Sequence, residues 1–177
     1  MDKNQQAFFE LLRAGLWENC SEFQVSSLRF QDSIDWEKVY QLAEEQSVIG
    51  VVLVGIEHSH LKPPQELLLQ WIGEVQMLEQ QNKEMNYFIS VLVDKMQNAG
   101  IYTLLVKGQG IAQCYEKPLW RNCGDVDFFL SEENLKNAKG FLIPLAESVD
   151  EENKYERHLG MTIGKRPNLG PSRIWLR

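Results

Sequence analysis

Two glycines and two aspartates within residues 101–130 constrain this chain more than any other stretch. Ile101, Leu104, Leu105 and Val106 form an apolar run bounded by Gly100 and Gly108, and Val126, Phe128, Phe129 and Leu130 form another. Both runs read as strands buried in a sheet. Gly108 and Gly110 allow a sharp bend and a close backbone approach to a ligand, because neither carries a Cβ. Asp125 and Asp127 stand one residue apart, and strand side chains alternate with period two, so both project from one face. Two adjacent carboxylates repel each other unless a cation lies between them, which points to a divalent metal.

Each part also has a plainer reading. An isolated Asp-x-Asp is commonly a solvated strand end, and the glycines alone suit a turn in any α/β protein. Arg121 would serve as a structural partner of Asp125, and Lys107 as the exposed end of a strand. Two phosphate-binding signatures are excluded: Gly108-Gln109-Gly110 is followed by Gln113 where a dinucleotide fingerprint needs a small residue, and no Walker-type G-x-x-x-x-G-K-[ST] occurs. Specificity lies in the conjunction of an apolar strand, Lys107-Gly108, Tyr115, Pro118, Arg121 and Gly124-Asp125-Val126-Asp127, in that order.

This conjunction resembles the DNA polymerase β-like nucleotidyltransferase superfamily, in which a Gly-Gly or Gly-Ser turn precedes an Asp-x-Asp strand. More closely, it is similar to a bacterial family described as uncharacterised nucleotidyltransferases, over about residues 33–163. Gln109 stands where the superfamily turn carries a small second residue. The resemblance implies transfer of a nucleoside monophosphate from an NTP, ATP being the first expectation, to a hydroxyl acceptor on a protein or small molecule. It makes Asp125 and Asp127 the catalytic pair and the ligands of Mg2+ or Mn2+, with Lys107, Gly108, Gln109 and Arg121 binding the nucleotide. It also implies a third acid on a later strand. Asp150, Glu151, Glu152 and Glu156 are the acids available there, and none matches that position. Compared with the family, the chain is expected to be short at its C-terminal end. A module of the same fold that binds nucleotide without catalysis is therefore the alternative. His158 is read as a structural strand residue, or else as a general base for the acceptor.

The 177 residues are enough for a sizeable apolar core. A net charge of −7, with no block of Lys or Arg, argues against an extended nucleic acid as the main substrate. Cys20, Cys114 and Cys123 form no C-x-x-C pair, so neither a zinc cluster nor a disulfide framework is indicated. Glu10 and Arg13 interrupt the apolar N-terminal stretch, which reads as neither signal peptide nor membrane span. A cytoplasmic protein that does not contact membrane is expected.

Ahead of the motif the chain reads as helical. Phe8, Leu11, Leu12 and Leu16 share one helix face, and residues 21–32 are polar and irregular, so this helix is expected to dock loosely. Asp35 caps a second helix with Trp36, Val39, Tyr40 and Ala43 on one side. Residues 48–58 are apolar nearly all round, which suits a buried helix or, less readily, a strand. His58 and His60 suit a surface turn better than a metal site. After Pro63 and Pro64 the longest helix reaches Ala99. Its stripe of Trp71, Val75, Leu78, Met85, Ile89, Leu92 and Met96 is broken only by Asn82. That seam is expected to pack internally, with a second subunit as the other option. Beyond the motif, Ser131 caps a helix that Pro144 kinks or ends, residues 155–163 suit a further strand, and residues 164–177 read as an irregular tail. The expectation is an α+β (α/β/α-like) fold: helical residues 1–99, then a nucleotidyltransferase core with a small mixed sheet over residues 100–177.

Overall fold

The stripe of residues 71–96 lies on a single helix. A computed structural model describes residues 2–17, 34–59, 61–150, 159–166 and 169–177, and in it α4 spans Gln65–Asn98. Pro64 starts the helix by accepting from the Leu68 amide at 2.9 Å. Gly100, at φ +75°, ends it. There the Gly100 N–H donates to the Gln97 carbonyl and the Ile101 N–H to that of Met96, at 2.9 and 2.8 Å, the paired bonds of a Schellman stop.

The chain divides into two units, residues 1–80 with 113–122 and residues 81–112 with 123–177. The first holds α1 (Lys3–Leu16), α2 (Trp36–Glu45), α3 (Ile49–His58), the first half of α4 and a 3-10 turn (Pro118–Trp120). Asp2 caps α1 in a reciprocal box with Gln5, and Asp35 caps α2 by accepting from the Lys38 amide. Every residue from 49 to 56 is buried, as the all-round apolarity of α3 requires. Trp71 of α4 donates its Nε1–H to the Ile49 carbonyl at 2.9 Å and meets the Tyr40 ring edge-on at 5.1 Å. His58 ends α3 with Nδ1 3.0 Å from the Ala14 carbonyl and Nε2 3.1 Å from Glu116.

The expected loose docking of α1 is overturned. A Cβ added to Gly15 would lie 1.9 Å from the Val51 carbonyl oxygen, and one added to Gly55 would lie 1.9 Å from that of Leu11. α1 and α3 therefore cross backbone on backbone, an approach that only glycine permits at these two positions.

Burial pushes the Tyr40 phenol up to about 12, and the Glu74 carboxylate adds to the shift. An unfolded tyrosine ionises near about 10. Because the folded value is the higher one, this stabilisation is complete below about pH 10 and is lost as pH rises toward 12. Urea unfolding across that window should show stability falling in the unsubstituted chain and less so in Tyr40→Phe; equal slopes would contradict the assignment.

The second unit holds the rest of α4, β1 (Leu104–Leu105), α5 (Gln109–Ala112), β2 (Val126–Phe129), α6 (Glu132–Leu142), a 3-10 turn (Ile143–Leu145), β3 (Ala146–Val149), β4 (Leu159–Arg166) and β5 (Leu169–Leu176). The strands form one mixed sheet in the order β1-β2-β5-β4-β3, with β2 parallel to β5 and the other neighbours antiparallel. Val126, Phe128, Met161, Ile174 and Leu176 cover one sheet face and pack with Met85, Leu92 and Met96 of α4 and with Ala138 and Leu142 of α6. The α+β class with a helical N-terminal region is thus what the chain adopts.

Two expectations about strands are corrected, and one strand was not anticipated. The first apolar run gives only a two-residue edge strand, and Leu104 is exposed because it shares the face away from the core with its cross-strand partner Phe129. β3 follows the 3-10 turn that contains Pro144 and is mostly exposed, so it has no apolar alternation to announce it. The expected irregular tail contains β5. Ser172, Ile174 and Leu176 bury its inner face, and Pro171 is tolerated because β2 pairs only with residues 174–176, leaving β5 an open side at the proline. The irregular stretch 21–32, Cys20, His60, Glu151, Glu152, Tyr155, Glu156, Arg157 and His158 lie outside the described residues.

Candidate active site

Strand register brings the glycine bend to the aspartates. Leu104 pairs with Phe129 and Leu105 with Phe128, and the ladder continues with the Val106 N–H donating to the Asp127 carbonyl at 3.1 Å. Continued two residues further, that register sets Gly108 opposite Asp125. A Cβ on Gly108 would lie 2.9 Å from the Asp125 carbonyl oxygen, and Gly108 itself has φ +52°. A Cβ on Gly110 would lie 2.6 Å from the Leu105 carbonyl oxygen. Both glycines are thus required by close backbone contact, and Gly108 also by its left-handed conformation. The bend closes with the Gly110 N–H donating to the Lys107 carbonyl at 2.8 Å and leads into the single turn of α5.

Val126 and Phe128 point into the core, so Asp125 and Asp127 fall on the opposite face of β2. Asp125 is exposed and Asp127 is buried. The neighbouring strand presents side chains to both, because Arg173, Trp175 and Arg177 share the outward face of β5. Arg177 Nε donates to Asp127 Oδ1 at 2.6 Å, and Trp175 Nε1 donates to Asp125 Oδ2 at 3.1 Å. The Trp175 ring lies above Gly160, where a Cβ would come within 2.7 Å of it, and the Arg173 guanidinium stacks 4.7 Å from the ring centroid. Arg173 also donates to Asp150 Oδ2 at 2.6 Å, so Asp150 is held at the far end of this row as an ion-pair partner.

Lys107, Gly108, Gln109, Asp125 and Asp127 therefore converge on one end of the β1–β2 pair. Lys107 is exposed, without an ion-pair partner among the described residues. Gln109 is buried and turns its side chain to α4, donating from Nε2 to Asn82 Oδ1 at 2.7 Å. Arg121 belongs to the first unit, where its guanidinium lies 5.5 Å from the Tyr115 ring centroid and donates to the Asn122 carbonyl. Sequence reasoning missed Trp175 and Arg177; the period-two contrast between Ser172, Ile174, Leu176 and Arg173, Trp175, Arg177 was the signal available for them.

Among the described residues no three His, Cys, Asp or Glu side chains gather as a metal cluster, and no helix is long and apolar enough to cross a membrane. A Mg2+ that takes one or two carboxylates, with phosphate and water completing its shell, needs no such cluster. The donor set suits that mode. Each aspartate commits one oxygen to a β5 side chain and retains the other, Asp125 Oδ1 and Asp127 Oδ2, with no partner among the described residues.

An α+β chain in which a glycine bend abuts an Asp-x-Asp strand has the pattern of a nucleotidyltransferase. Residues 32–166 match the family described as Uncharacterised nucleotidyltransferase, and the chain belongs to that family. Neither a curated protein nor a solved structure matches it.

Proposed function

We propose that the chain transfers a nucleoside monophosphate from an NTP, ATP in the first instance, to a hydroxyl acceptor on a protein or small molecule. The observation that carries this reading is the approach of Gly108 to the Asp125 backbone, which packs the glycine bend against the strand end that bears both aspartates. Asp125 and Asp127 would hold Mg2+ or Mn2+, each having one carboxylate oxygen not bonded to β5. Such an ion, when bound, neutralises charge on the attacking and departing oxygens. Gly108 and Gln109 offer backbone to the phosphates, and Lys107 brings a mobile positive charge to the same end of the sheet. The acceptor oxygen bonds to the α-phosphorus as the α–β bridge breaks; pyrophosphate leaves and the acceptor proton passes to water. The candidacy of Arg121 as a phosphate ligand rests on the family motif alone.

A second reading is favoured by β5, which carries Trp175 and Arg177 beside the aspartates, where a third acid would be expected. On this reading the chain binds nucleotide and metal as a regulatory module without transfer. Incubation with each α-labelled NTP and Mg2+, against a panel of proteins and hydroxylated small molecules, separates the two. Labelled acceptor that disappears with chelator supports transfer. Calorimetric binding of ATP with Mg2+ but no labelled product supports the module, and no binding of any NTP contradicts both.

A further inference from the structure

Two residues break the patterns around them, and they break them toward each other. Asn82 is the polar member of the α4 seam, flanked one step away on either side by Leu78 and Met85, and it is only 1% exposed. Gln109 occupies the second position of the glycine bend and is 5% exposed. The 2.7 Å bond from Gln109 Nε2 to Asn82 Oδ1 joins them. The Gln109 amide, buried in the bend, would lose its water without replacement if Asn82 did not accept from it. Gln109 Oε1 is buried with no partner among the described residues, so the bond to Asn82 is what recovers the burial cost of this side chain.

The consequence is positional. Gln109 lies between Gly108, whose conformation is left-handed, and Gly110, which sits against the Leu105 carbonyl. Glycines give a bend its shape but not its rigidity, since they restrict the backbone least. A side chain anchored in a 34-residue helix supplies that rigidity. We infer that Asn82 is a positioning residue for the nucleotide: it touches no substrate, but through Gln109 it fixes the bend that receives the phosphates. This inference rests on the proposed function of the same site. It also distinguishes the chain from a bend with a small second residue, which leaves the α4 position free to be apolar.

The test uses the full chain with Asn82→Leu, Gln109→Ser and the double variant, read by hydrogen exchange of residues 104–112 and by ATP binding and turnover with Mg2+. Asn82→Leu strands the Gln109 amide without an acceptor. It should raise exchange in this segment roughly tenfold and weaken KM for ATP by a similar factor, with kcat nearly unchanged. The double variant exchanges a larger seam residue for a smaller bend residue, so it should recover protection of the segment. α6, which lacks these contacts, serves as the internal control for folding. Unchanged exchange in Asn82→Leu overturns the inference, as does raised exchange with an unaltered KM. If the unsubstituted chain binds no nucleotide, the functional reading fails instead, and the exchange contrast alone decides whether Asn82 holds the bend.

Discussion

Asp127→Asn is expected to lower nucleotidyl transfer by roughly a thousandfold, the order of loss that follows removal of a preorganised charge-stabilising group. The substitution keeps the shape of the side chain and deletes its charge. An asparagine carbonyl oxygen can still accept from Arg177 Nε, and the Arg177 side chain is 38% exposed, so water can serve the rest of the guanidinium. Folding is therefore expected to survive, at a cost of about 1–2 kcal/mol for the weakened charge-assisted bond. Asp125→Asn should behave alike, because its carbonyl oxygen can still accept the Trp175 indole N–H. Turnover and thermal melts measured on the same preparations give the answer. A variant that melts close to the unsubstituted chain and turns over normally would remove the replaced aspartate from the chemistry.

Gly55→Ala is expected to destabilise the first unit by about 3 kcal/mol or more, at the upper end of what overpacking costs. A flexible side chain could yield to one extra methyl group, but the atoms in the way are the carbonyl oxygen of Leu11 at 1.9 Å and its carbon at 2.7 Å. Relief requires α1 to move off α3 and to loosen the packing of Ala7, Phe8 and Leu11. Gly15→Ala meets Val51 in the same way, and the double variant should cost less than the two together, because helices already parted by one methyl accept a second. Gly73→Ala is the contrast: nothing lies within 4 Å of its Cβ, so the gain in helix propensity should stabilise by about 1 kcal/mol. Urea denaturation of these variants distinguishes backbone contact from ordinary helix preference. A mild effect at Gly55 would mean that the helices are not in such close contact.

The helices were legible because their signals are local. α3 has no polar side to mislead, and the α4 seam runs from Trp71 to Met96 before Gly100 stops the helix. That Asp125 and Asp127 share a face was legible because alternation along a strand settles it, and Val126 and Phe128 do take the core side. What escaped depended on partners distant in sequence. Gly15 and Gly55 read as ordinary helix glycines until their carbonyl neighbours are known. β5 was hidden because Gly170, Pro171 and Arg173 interrupt the composition of a strand, while its alternation begins only at Ser172. The pairing of Trp175 and Arg177 with the aspartates follows from the parallel alignment of β5 with β2, which no local pattern encodes. Asn82 and Gln109 were each visible as an irregularity, but the bond between them was not.

Mn2+ binding followed by electron paramagnetic resonance, with and without ATP, puts the central assignment to the test most directly. The unsubstituted chain should bind the ion weakly alone and more tightly once ATP brings phosphate oxygens, and Asp125→Asn and Asp127→Asn should each lose that gain while remaining folded. Equal Mn2+ binding in all three proteins, with and without ATP, would contradict it.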